Sequence, residues 1–228
     1  MVYPRAIRCI LCVVAASTTA FAAKPLIDCS KKSLAEEVAN AVSGDAIQFT
    51  GTCQGPIVVR TDGLALTGVG TAIIDGNVQD ALTVAGAHGV SLTQFEVRNG
   101  VNGIIGVNGA HFTLKNVNAH DNFVFGISLQ TASSAALSGV TASNNKVHGL
   151  DLQTGSAATI TGNFTASGNR VFGINVNGSS LTLSRATVTV TGNALGIQIA
   201  TGANAFINDS MSVIDANDNL AEIGRAHV

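Results

Sequence analysis

The stretch Asn122-Phe-Val-Phe-Gly-Ile-Ser-Leu-Gln130 returns in altered form as Asn145-Lys-Val-His-Gly-Leu-Asp-Leu-Gln153 and again as Asn169-Arg-Val-Phe-Gly-Ile-Asn-Val-Asn177. Each copy begins with an asparagine, reaches a glycine four residues later and then alternates apolar and polar residues. Alternation with a period of two is typical of a β-strand with one buried face. A strand pattern that recurs every 23 or 24 residues predicts a protein built from stacked repeats.

Two columns of residues extend this repeat over most of the chain. Glycines recur at Gly103, Gly126, Gly149, Gly173 and Gly196, and aliphatic residues recur at Leu92, Leu114, Leu137, Ile160, Leu183 and Ile207. The coil length is not a multiple of six, as a hexapeptide solenoid requires, and the leucine spacing of a leucine-rich repeat is missing. We therefore predict an all-β fold, a right-handed single-stranded parallel β-helix, with its coils over residues 45–221.

Residues 23–44 are predicted to form an N-terminal segment with a capping α-helix. Ser33 is a suitable N-cap, and Glu36 three residues later completes a capping box. The apolar stripe of this helix comprises Leu34, Val38, Ala41 and Val42. Gly44 is expected to end the helix. Such a helix would cover the open end of the stacked core.

Residues 1–22 have the organisation of a signal peptide. Arg5 and Arg8 precede an apolar run over residues 9–16, and Ala20-Phe-Ala22 offers a cleavage site. The apolar run is too short to cross a membrane, so no membrane span is expected. We predict a secreted or periplasmic protein.

Removal of the signal peptide would leave two cysteines, Cys29 and Cys53. Export to an oxidising compartment favours a disulfide between them. Closing a loop of this length stabilises a protein by about 3 kcal/mol in the chain-entropy model.

The C-terminal end departs from the repeat. Asp218-Asn219 resembles the turn sequence Asp121-Asn122, but Glu222-Ile-Gly-Arg-Ala-His-Val228 does not continue the coil. The heptapeptide also matches the translation of a common sequencing adapter. We expect the β-helix to be truncated after residue 221, and residues 222–228 to be a non-native tail.

Composition and charge narrow the classes of partner. Hydrophobic residues make up 46% of the chain and charged residues 11%, which excludes a disordered protein. The formal net charge of −2 gives no electrostatic reason to expect nucleic acid.

Five residues are candidates for catalysis. His148 and Asp151 flank Gly149 on one predicted strand, and Asp121 lies near the same turn one coil earlier. Lys146 and Arg170 fall in one turn column on adjacent coils. Asp151 should point outward, because its neighbours Leu150 and Leu152 point inward. Together these side chains form either a polar groove with acid–base capacity or an ordinary solvated strand edge.

Asparagines recur at the turn that precedes the glycine column, at Asn99, Asn122, Asn145, Asn169 and Asn193. Asparagine tolerates left-handed backbone geometry and hydrogen-bonds turn backbone. We predict a structural asparagine ladder inside the solenoid, without a role in ligand binding.

A second outward set is suited to binding sugars by hydrogen bonds, and comprises Ser128, Gln130, Gln153, Asn175 and Asn177. The absence of Trp and the single Tyr argue against an aromatic platform for sugars. A further outward face is rich in hydroxyl groups, with Ser91, Thr113, Thr159 and Thr182 in one column. This hydroxyl face is either a surface for carbohydrate or ice, or ordinary solvent-facing strand.

The runs Asp28-Cys-Ser30, Gly44-Asp-Ala-Ile-Gln-Phe-Thr-Gly-Thr-Cys53 and Leu64-Ala-Leu-Thr-Gly-Val-Gly-Thr-Ala-Ile-Ile-Asp-Gly76 resemble the opening of pectin lyase-like right-handed β-helix proteins. The later Asn-x-x-x-Gly-Ile coils resemble the repeats of the same superfamily, so the resemblance covers residues 28–219. It implies the fold strongly and the activity weakly, because the superfamily includes lyases, hydrolases, epimerases and non-enzymatic surface proteins.

Resemblance to the lyases implies a calcium site of clustered carboxylates with a nearby Arg or Lys base. The acids Glu96, Asp121 and Asp151 are too scattered in the sequence for such a site. The Asn-Thr-Asp and Gly-His-Gly motifs that resemblance to polygalacturonases implies do not occur. We therefore expect no metal or cofactor, with calcium only if the protein is a lyase.

The sequence favours a secreted structural or carbohydrate-binding module with polysaccharide as its partner. The alternative is a polysaccharide lyase or glycoside hydrolase of the same superfamily.

Overall fold

A computed structural model describes residues 25–208 and 211–219 of the chain. The signal peptide predicted over residues 1–22 and the tail over residues 222–228 lie outside the described residues. Among the residues that are described, no helix is long and apolar enough to cross a membrane.

One short helix and twenty strands make up the described chain. The helix α1 spans Leu34–Ala39. The strands are β1 (Ile27–Asp28), β2 (Ala46–Gln54), β3 (Ile57–Val59), β4 (Ala65–Asp75), β5 (Leu82–Ala85), β6 (His88–Thr93), β7 (Glu96–Arg98), β8 (Ile104–Val107), β9 (His111–Lys115), β10 (Asn118–His120), β11 (Phe125–Leu129), β12 (Ser134–Ser138), β13 (Val140–Ser143), β14 (His148–Leu152), β15 (Ala157–Ser167), β16 (Phe172–Asn177), β17 (Ser180–Thr191), β18 (Leu195–Ala200), β19 (Asn204–Ile207) and β20 (Val213–Asp215).

The strands form two parallel sheets, and successive coils of the chain add one strand after another to each. Sheet A has thirteen strands. Ten of them wind from β1 through β2, β4, β6, β9, β12 and β15 and back through β13, β10 and β7, and β17 pairs with β15, β19 and β20. Sheet B has seven strands in the order β18, β16, β14, β11, β8, β5, β3. The result is a parallel β-solenoid of about eight turns, which confirms the predicted fold class.

The core lies between the sheets and is built from the predicted aliphatic column. Leu92, Leu114, Leu137, Ile160 and Leu183 are buried, and each pairs in register with its neighbour one coil away. Ile207 differs, because 57% of its surface is exposed. Its strand β19 pairs only with β17 among the described strands, so no further coil covers that side chain.

The N-terminal helix is shorter than predicted. Ser33 caps it as expected, since its side chain accepts a hydrogen bond from the Glu36 amide at 3.3 Å. The helix ends at Ala39, and Val42, which was expected on the apolar stripe, is exposed. Beyond the helix, the Asp45 carboxylate accepts a hydrogen bond from the Val42 amide at 2.8 Å, which holds a turn there instead. Leu34 and Val38 nevertheless pack into the core.

A ladder of buried asparagine side chains runs along one edge of the solenoid. Its members are Asn122, Asn145, Asn169, Asn193 and the less buried Asn219. Each of the first four donates from its backbone N–H and from its side-chain Nδ2 to the Oδ1 of the next, at 2.8–3.1 Å. The predicted ladder is therefore present as a structural element of the turn.

Asn99 does not belong to this ladder, contrary to the prediction. The coil here is 22 residues long, so Gly100 takes the ladder position and its amide donates to Asn122 Oδ1 at 3.0 Å. Asn99 instead adopts a left-handed conformation with a φ of 56° and donates from Nδ2 to Asp75 Oδ2 at 2.8 Å. Because this coil is one residue shorter than its neighbours, Gly100 and not Asn99 is in register with the ladder asparagines.

Cys29 and Cys53 form the predicted disulfide, with a Cα–Cα distance of 5.0 Å. The bond joins the chain just before α1 to the first long strand, β2. It therefore ties the helix-bearing segment to the first coil.

Candidate functional site

The outer face of sheet B carries three parallel columns of side chains, on strands β11, β14 and β16 and on the residues that directly follow β11 and β14. The ring column is Phe125, His148 and Phe172; the acid–amide column is Ser128, Asp151 and Asn175; and the amide column is Gln130, Gln153 and Asn177. The acid–amide and amide columns point outward because their neighbours Leu150 and Leu152 are buried in the core, and alternate residues of a strand point to opposite faces. The ring column does not follow this alternation, since His148 has the same parity as Leu150. At this point of the strand Gly149 faces the asparagine ladder, where a Cβ would lie 2.8 Å from Asn169 Nδ2. We call these nine residues the sheet B face.

Asp151 lies at the centre of the sheet B face. It points away from the core as predicted, yet it is fully buried rather than solvated. Its Oδ1 accepts a hydrogen bond from Asn175 Nδ2 at 2.8 Å, and its Oδ2 accepts from Gln153 Nε2 at 2.7 Å and from Ser128 Oγ at 3.3 Å. Burial raises the pKa of the carboxyl, and these three donors counteract that rise. Asp151 therefore acts as the anchor of a hydrogen-bond network spanning three coils.

Four residues of the predicted sugar-binding set are part of this network, and two of them are too buried to contact a ligand. Ser128 is fully buried, and Asn175 is 7% exposed. Gln130 and Gln153 are partly exposed, and Asn177 is exposed. Gln130 Nε2 donates to Ser128 Oγ at 3.1 Å, just as Gln153 Nε2 donates to Asp151. The network thus fixes the orientation of two amide groups at the surface.

His148 is stacked in the ring column and is not paired with Asp151. Its ring centroid lies 5.3 Å from that of Phe125, nearly parallel, and 4.9 Å from that of Phe172. The Phe172 amide donates to Nδ1 at 3.2 Å, which fits a neutral imidazole with its proton on Nε2. Burial lowers the pKa of His148 to about 4. A group with so low a pKa is a weak base at neutral pH, so His148 is poorly suited to general base catalysis.

Sequence reasoning missed the ring column. Phe125 and Phe172 are half-buried on the outer side of the sheet, although aromatic residues in an apolar strand usually belong to the core. The available signal was that the three rings occupy the same place in successive coils. Phe125, His148 and Phe172 each lie two residues after an equivalent turn residue, which is Phe123, Lys146 or Arg170. Phe125 and Phe172 are partly exposed, whereas His148 between them is buried.

Lys146 and Arg170 are exposed and lie in the turn that leads from the asparagine ladder into sheet B. Their backbone amides donate to the Asn122 and Asn145 carbonyl oxygens, each at 3.0 Å, so the two residues occupy equivalent positions on adjacent coils. They line an open groove of about 750 Å³ together with Asn144, Asn145, Gly168, Asn169, Gly192, Asn193 and Ala194. We call this the turn groove.

Asp121 joins a different cluster, on the outer face of sheet A. Its Oδ2 lies 2.6 Å from His120 Nδ1, while His120 Nε2 lies 3.5 Å from Glu96 Oε2. One coil earlier, Arg98 Nε lies 3.6 Å from Asp75 Oδ2. The structure therefore does not bring Asp121 together with His148, Lys146 and Arg170. We call these five residues, Asp75, Glu96, Arg98, His120 and Asp121, the sheet A cluster.

The sheet A cluster was also missed, because its members come from three coils. Asp75, Arg98 and His120 are in register on β4, β7 and β10, and their spacing by one coil each was the available signal. Glu96 also lines a cleft of about 340 Å³ with Gln94, Phe95, Asn116, Asn118 and residues 70–72. In the described part of the chain, no three His, Cys, Asp or Glu side chains are arranged to hold a metal ion.

The predicted hydroxyl face lies on sheet A. Ser91, Thr113, Ala136, Thr159 and Thr182 pair in register from β6 to β17. Their side chains are partly or fully exposed on the outer side of the sheet. This surface is separate from both the sheet B face and the sheet A cluster.

Stacked coils, two parallel sheets and a continuous asparagine ladder define a parallel β-helix protein. The family model described as "Right handed beta helix region" matches residues 55–211. Because this match covers more than half of the chain, the protein belongs to the right-handed β-helix family. No curated protein matches the sequence.

The fold is also found among solved structures. The crystal structure of pectate lyase Pel9A aligns with a TM-score of 0.53 and 15% sequence identity, covering 86% of this chain and 76% of that one. An identity this low shows the fold alone. It agrees with the resemblance to the pectin lyase-like superfamily.

Proposed function

We propose that this chain is a secreted or periplasmic β-helix protein that binds polysaccharide along the sheet B face. The observation that carries the proposal is the ring column beside surface amides whose orientation is fixed by the Asp151 network. The partly exposed rings of Phe125 and Phe172 offer an apolar surface to a sugar ring, and amides pair with its hydroxyls.

The glutamine side chains that would contact the sugar are already ordered in the free protein, and this favours binding. Gln153 and Gln130 each have one amide N–H already engaged, so their side chains lose little further freedom when a ligand arrives. Their columns repeat at the coil spacing of about 4.8 Å. A polymer with repeating hydroxyl groups can therefore meet equivalent amides on successive coils.

The pairings of the two acid–base candidates support binding over catalysis at this face. The low pKa of His148, about 4, keeps its imidazole neutral at neutral pH, and Asp151 is buried under three hydrogen-bond donors. Neither group is free to exchange a proton with a bound sugar.

Binding to a panel of insoluble and soluble polysaccharides, by sedimentation and affinity electrophoresis, tests the proposal. Gln153→Ala removes one surface amide and should weaken binding about three- to tenfold, the effect of losing about one hydrogen bond. Gln48→Ala is the matched control, because Gln48 is exposed on strand β2 of sheet A. Equal affinities of the two variants, or no binding by the unmutated protein, would refute the proposal.

A second candidate function, polysaccharide cleavage, is favoured by one specific observation. In the sheet A cluster, His120 lies between the carboxylates of Glu96 and Asp121, and Glu96 lines a cleft. Two carboxyl groups flanking a glycosidic bond can act as acid and base, one protonating the leaving oxygen while the other activates the attacking water.

Incubation with polysaccharides distinguishes the reactions, since hydrolysis releases new reducing ends and a lyase releases unsaturated products that absorb ultraviolet light. Each is measured with and without calcium. Glu96→Gln should abolish cleavage, whereas Glu36→Gln on the exposed side of α1 should leave it intact. Absence of any product from the unmutated protein would exclude this candidate.

A further inference from the structure

Two histidines stand side by side on adjacent coils of sheet A, at the edge of the hydroxyl face. His88 begins strand β6 and His111 begins β9, and the two residues pair in register. Both are exposed on the outer surface of the solenoid. Neighbouring strands lie about 4.8 Å apart, so the two imidazoles are within reach of one another. We call them the histidine pair.

A β-bulge directs His88 to the surface. Gly89 is an extra residue on β6, because it lies between His88 and Val90, which pair with consecutive residues of β9. Val90 is buried, so simple alternation would direct His88 into the core. Gly89 has a φ of 68°, a left-handed conformation that suits glycine, and the bulge leaves His88 exposed beside His111. Bulges commonly re-aim a side chain in this way next to functional sites.

The hydrogen bond of the His88 ring leaves one of its nitrogens available to a metal ion. Its Nε2 lies 3.1 Å from the Gly109 carbonyl oxygen, and because a carbonyl only accepts, Nε2 carries the proton. In the neutral ring, Nδ1 then keeps its lone pair, and it bonds no described residue. Histidines that bind metals usually donate their other ring N–H to a carbonyl or carboxylate, which fixes the tautomer and makes the ligating nitrogen more basic.

The backbone of the histidine pair is held in place by hydrogen bonds to both neighbouring coils. The His88 amide donates to Asp62 Oδ1 at 2.8 Å, and the Gly63 amide donates to the His88 carbonyl oxygen at 2.8 Å. The His111 amide donates to the Ala87 carbonyl oxygen at 2.9 Å. Ligands carried by rigid strands are positioned more precisely than ligands on loops, and little order has to be created when an ion binds.

The side chain of His111 has no competing partner. It takes part in no hydrogen bond or ion pair with any residue that the structure describes. The other described histidines differ, because His120 lies between two carboxylates and His148 is buried between two phenylalanine rings. The His111 ring can therefore turn towards His88 without breaking an existing interaction.

Imidazole ligands select the class of ion. Their nitrogens suit copper, nickel and zinc, whereas calcium and magnesium prefer oxygen ligands. Metal–nitrogen bonds of about 2 Å place two ligating nitrogens roughly 3 Å apart, a separation that side chains on in-register strands can reach. Within the described ranges no third His, Cys, Asp or Glu is grouped with the pair as a ligand. The remaining coordination positions of the ion would therefore be open to water.

We propose that His88 and His111 together bind one divalent transition-metal ion at the surface of sheet A. Among such ions Cu²⁺ should bind most tightly, because the affinity of nitrogen ligands rises along the first transition row to copper and falls again at zinc. The inference is independent of the proposed binding of polysaccharide, since the histidine pair shares no residue with the sheet B face.

Titration calorimetry with Cu²⁺, Zn²⁺ and Ca²⁺, on protein without a polyhistidine tag and in a buffer that does not chelate metals, tests the proposal. Cu²⁺ should saturate at one ion per chain and bind more tightly than Zn²⁺. An excess of Ca²⁺ should not displace it. The electron paramagnetic resonance spectrum of bound Cu²⁺ should show coupling to nitrogen.

His88→Gln and His111→Gln each remove one imidazole, and His120→Gln in the sheet A cluster is the matched control. Either change in the pair should weaken Cu²⁺ binding at least about tenfold, because the second ligand of a chelating pair acts at a high effective concentration. The control should bind as the unmutated protein does. Circular dichroism checks that all three variants are folded, as expected for exposed or partly exposed positions.

The proposal is wrong if the unmutated protein shows no saturable binding of Cu²⁺, or if Ca²⁺ displaces the bound ion. It is also wrong if the two variants of the pair bind as well as His120→Gln. A ratio of one ion to two chains would contradict it as well, because the ion would then bridge two copies of the protein. None of these results depends on whether polysaccharide binds.

Discussion

Replacing Asn145 with alanine should cut the asparagine ladder at its middle. The side chain is 1% exposed and makes four hydrogen bonds. Its Oδ1 accepts from the backbone N–H of Asn122 at 3.1 Å and from Asn122 Nδ2 at 2.9 Å. Its Nδ2 donates to Asn169 Oδ1 at 3.0 Å and to the Ala119 carbonyl oxygen at 3.2 Å.

The magnitude follows from the groups that alanine would leave without a partner. Asn122 would lose the acceptor for both its backbone N–H and its side-chain amide, inside a turn that water does not reach. Each buried donor left unsatisfied costs about 1–3 kcal/mol. With the lost bond to Ala119 added, Asn145→Ala should lower the free energy of unfolding by about 4 kcal/mol, which is a large part of the stability of an ordinary domain.

Urea unfolding followed by far-ultraviolet circular dichroism measures this loss, and amide hydrogen exchange locates it. Asn163→Ala is the matched control, because Asn163 is exposed on β15 and its side chain bonds no described residue. Exchange should accelerate in the coils around Asn122 and Asn169 first, since each coil contacts only its neighbours. If the two variants unfold with free energies within about 1 kcal/mol of each other, the ladder contributes far less than its hydrogen bonds suggest.

Three further predictions concern other parts of the solenoid. His148 in the folded protein has a pKa of about 4, below its ordinary value of 6.5, so the stability gained by keeping its ring neutral is complete above pH 6.5 and is lost as the pH falls towards 4. His148→Gln should therefore remove about 3 kcal/mol of the pH dependence of the free energy of unfolding, measured with urea. If the variant and the unmutated protein show the same pH dependence, His148 is not buried as described. Replacing Cys29 and Cys53 together by serine should lower the free energy of unfolding by about 3 kcal/mol. When both proteins are measured with and without reductant, only the unmutated protein should lose stability on reduction. A Cβ at Gly173 would lie 2.3 Å from Val190 Cγ1, so Gly173→Ala should destabilise the protein by about 2 kcal/mol, and a thermal melt equal to that of the unmutated protein would show that the coil can expand.

Much of the architecture could be predicted from the sequence, for a physical reason. Burial in a stacked coil depends on which face of a strand a side chain occupies, and that face follows directly from alternation. Leu114, Leu137 and Ile160 therefore fall in one buried column once the period is known. The length of each coil is harder to predict from the sequence. One coil is a residue shorter than its neighbours, so Gly100 occupies the ladder position where Asn99 was expected.

The candidate site was harder to predict, because alternation gives the direction of a side chain and not its surroundings. Asp151 points outward as expected, but side chains from the coils on either side, Ser128 and Asn175, hydrogen-bond it in a buried environment. The same limit hid the ring column, since alternation alone does not separate an outward Phe125 or Phe172 from a core residue, and only their shared position on successive coils marks them.

Stacking converts any residue that recurs once per coil into a line of side chains, and burial decides what that line can do. Buried asparagines donate to one another and satisfy every coil within the ladder, so their column stabilises the free protein. An exposed pair such as Lys146 and Arg170 has the opposite property, because these side chains bond no described residue and face solvent instead.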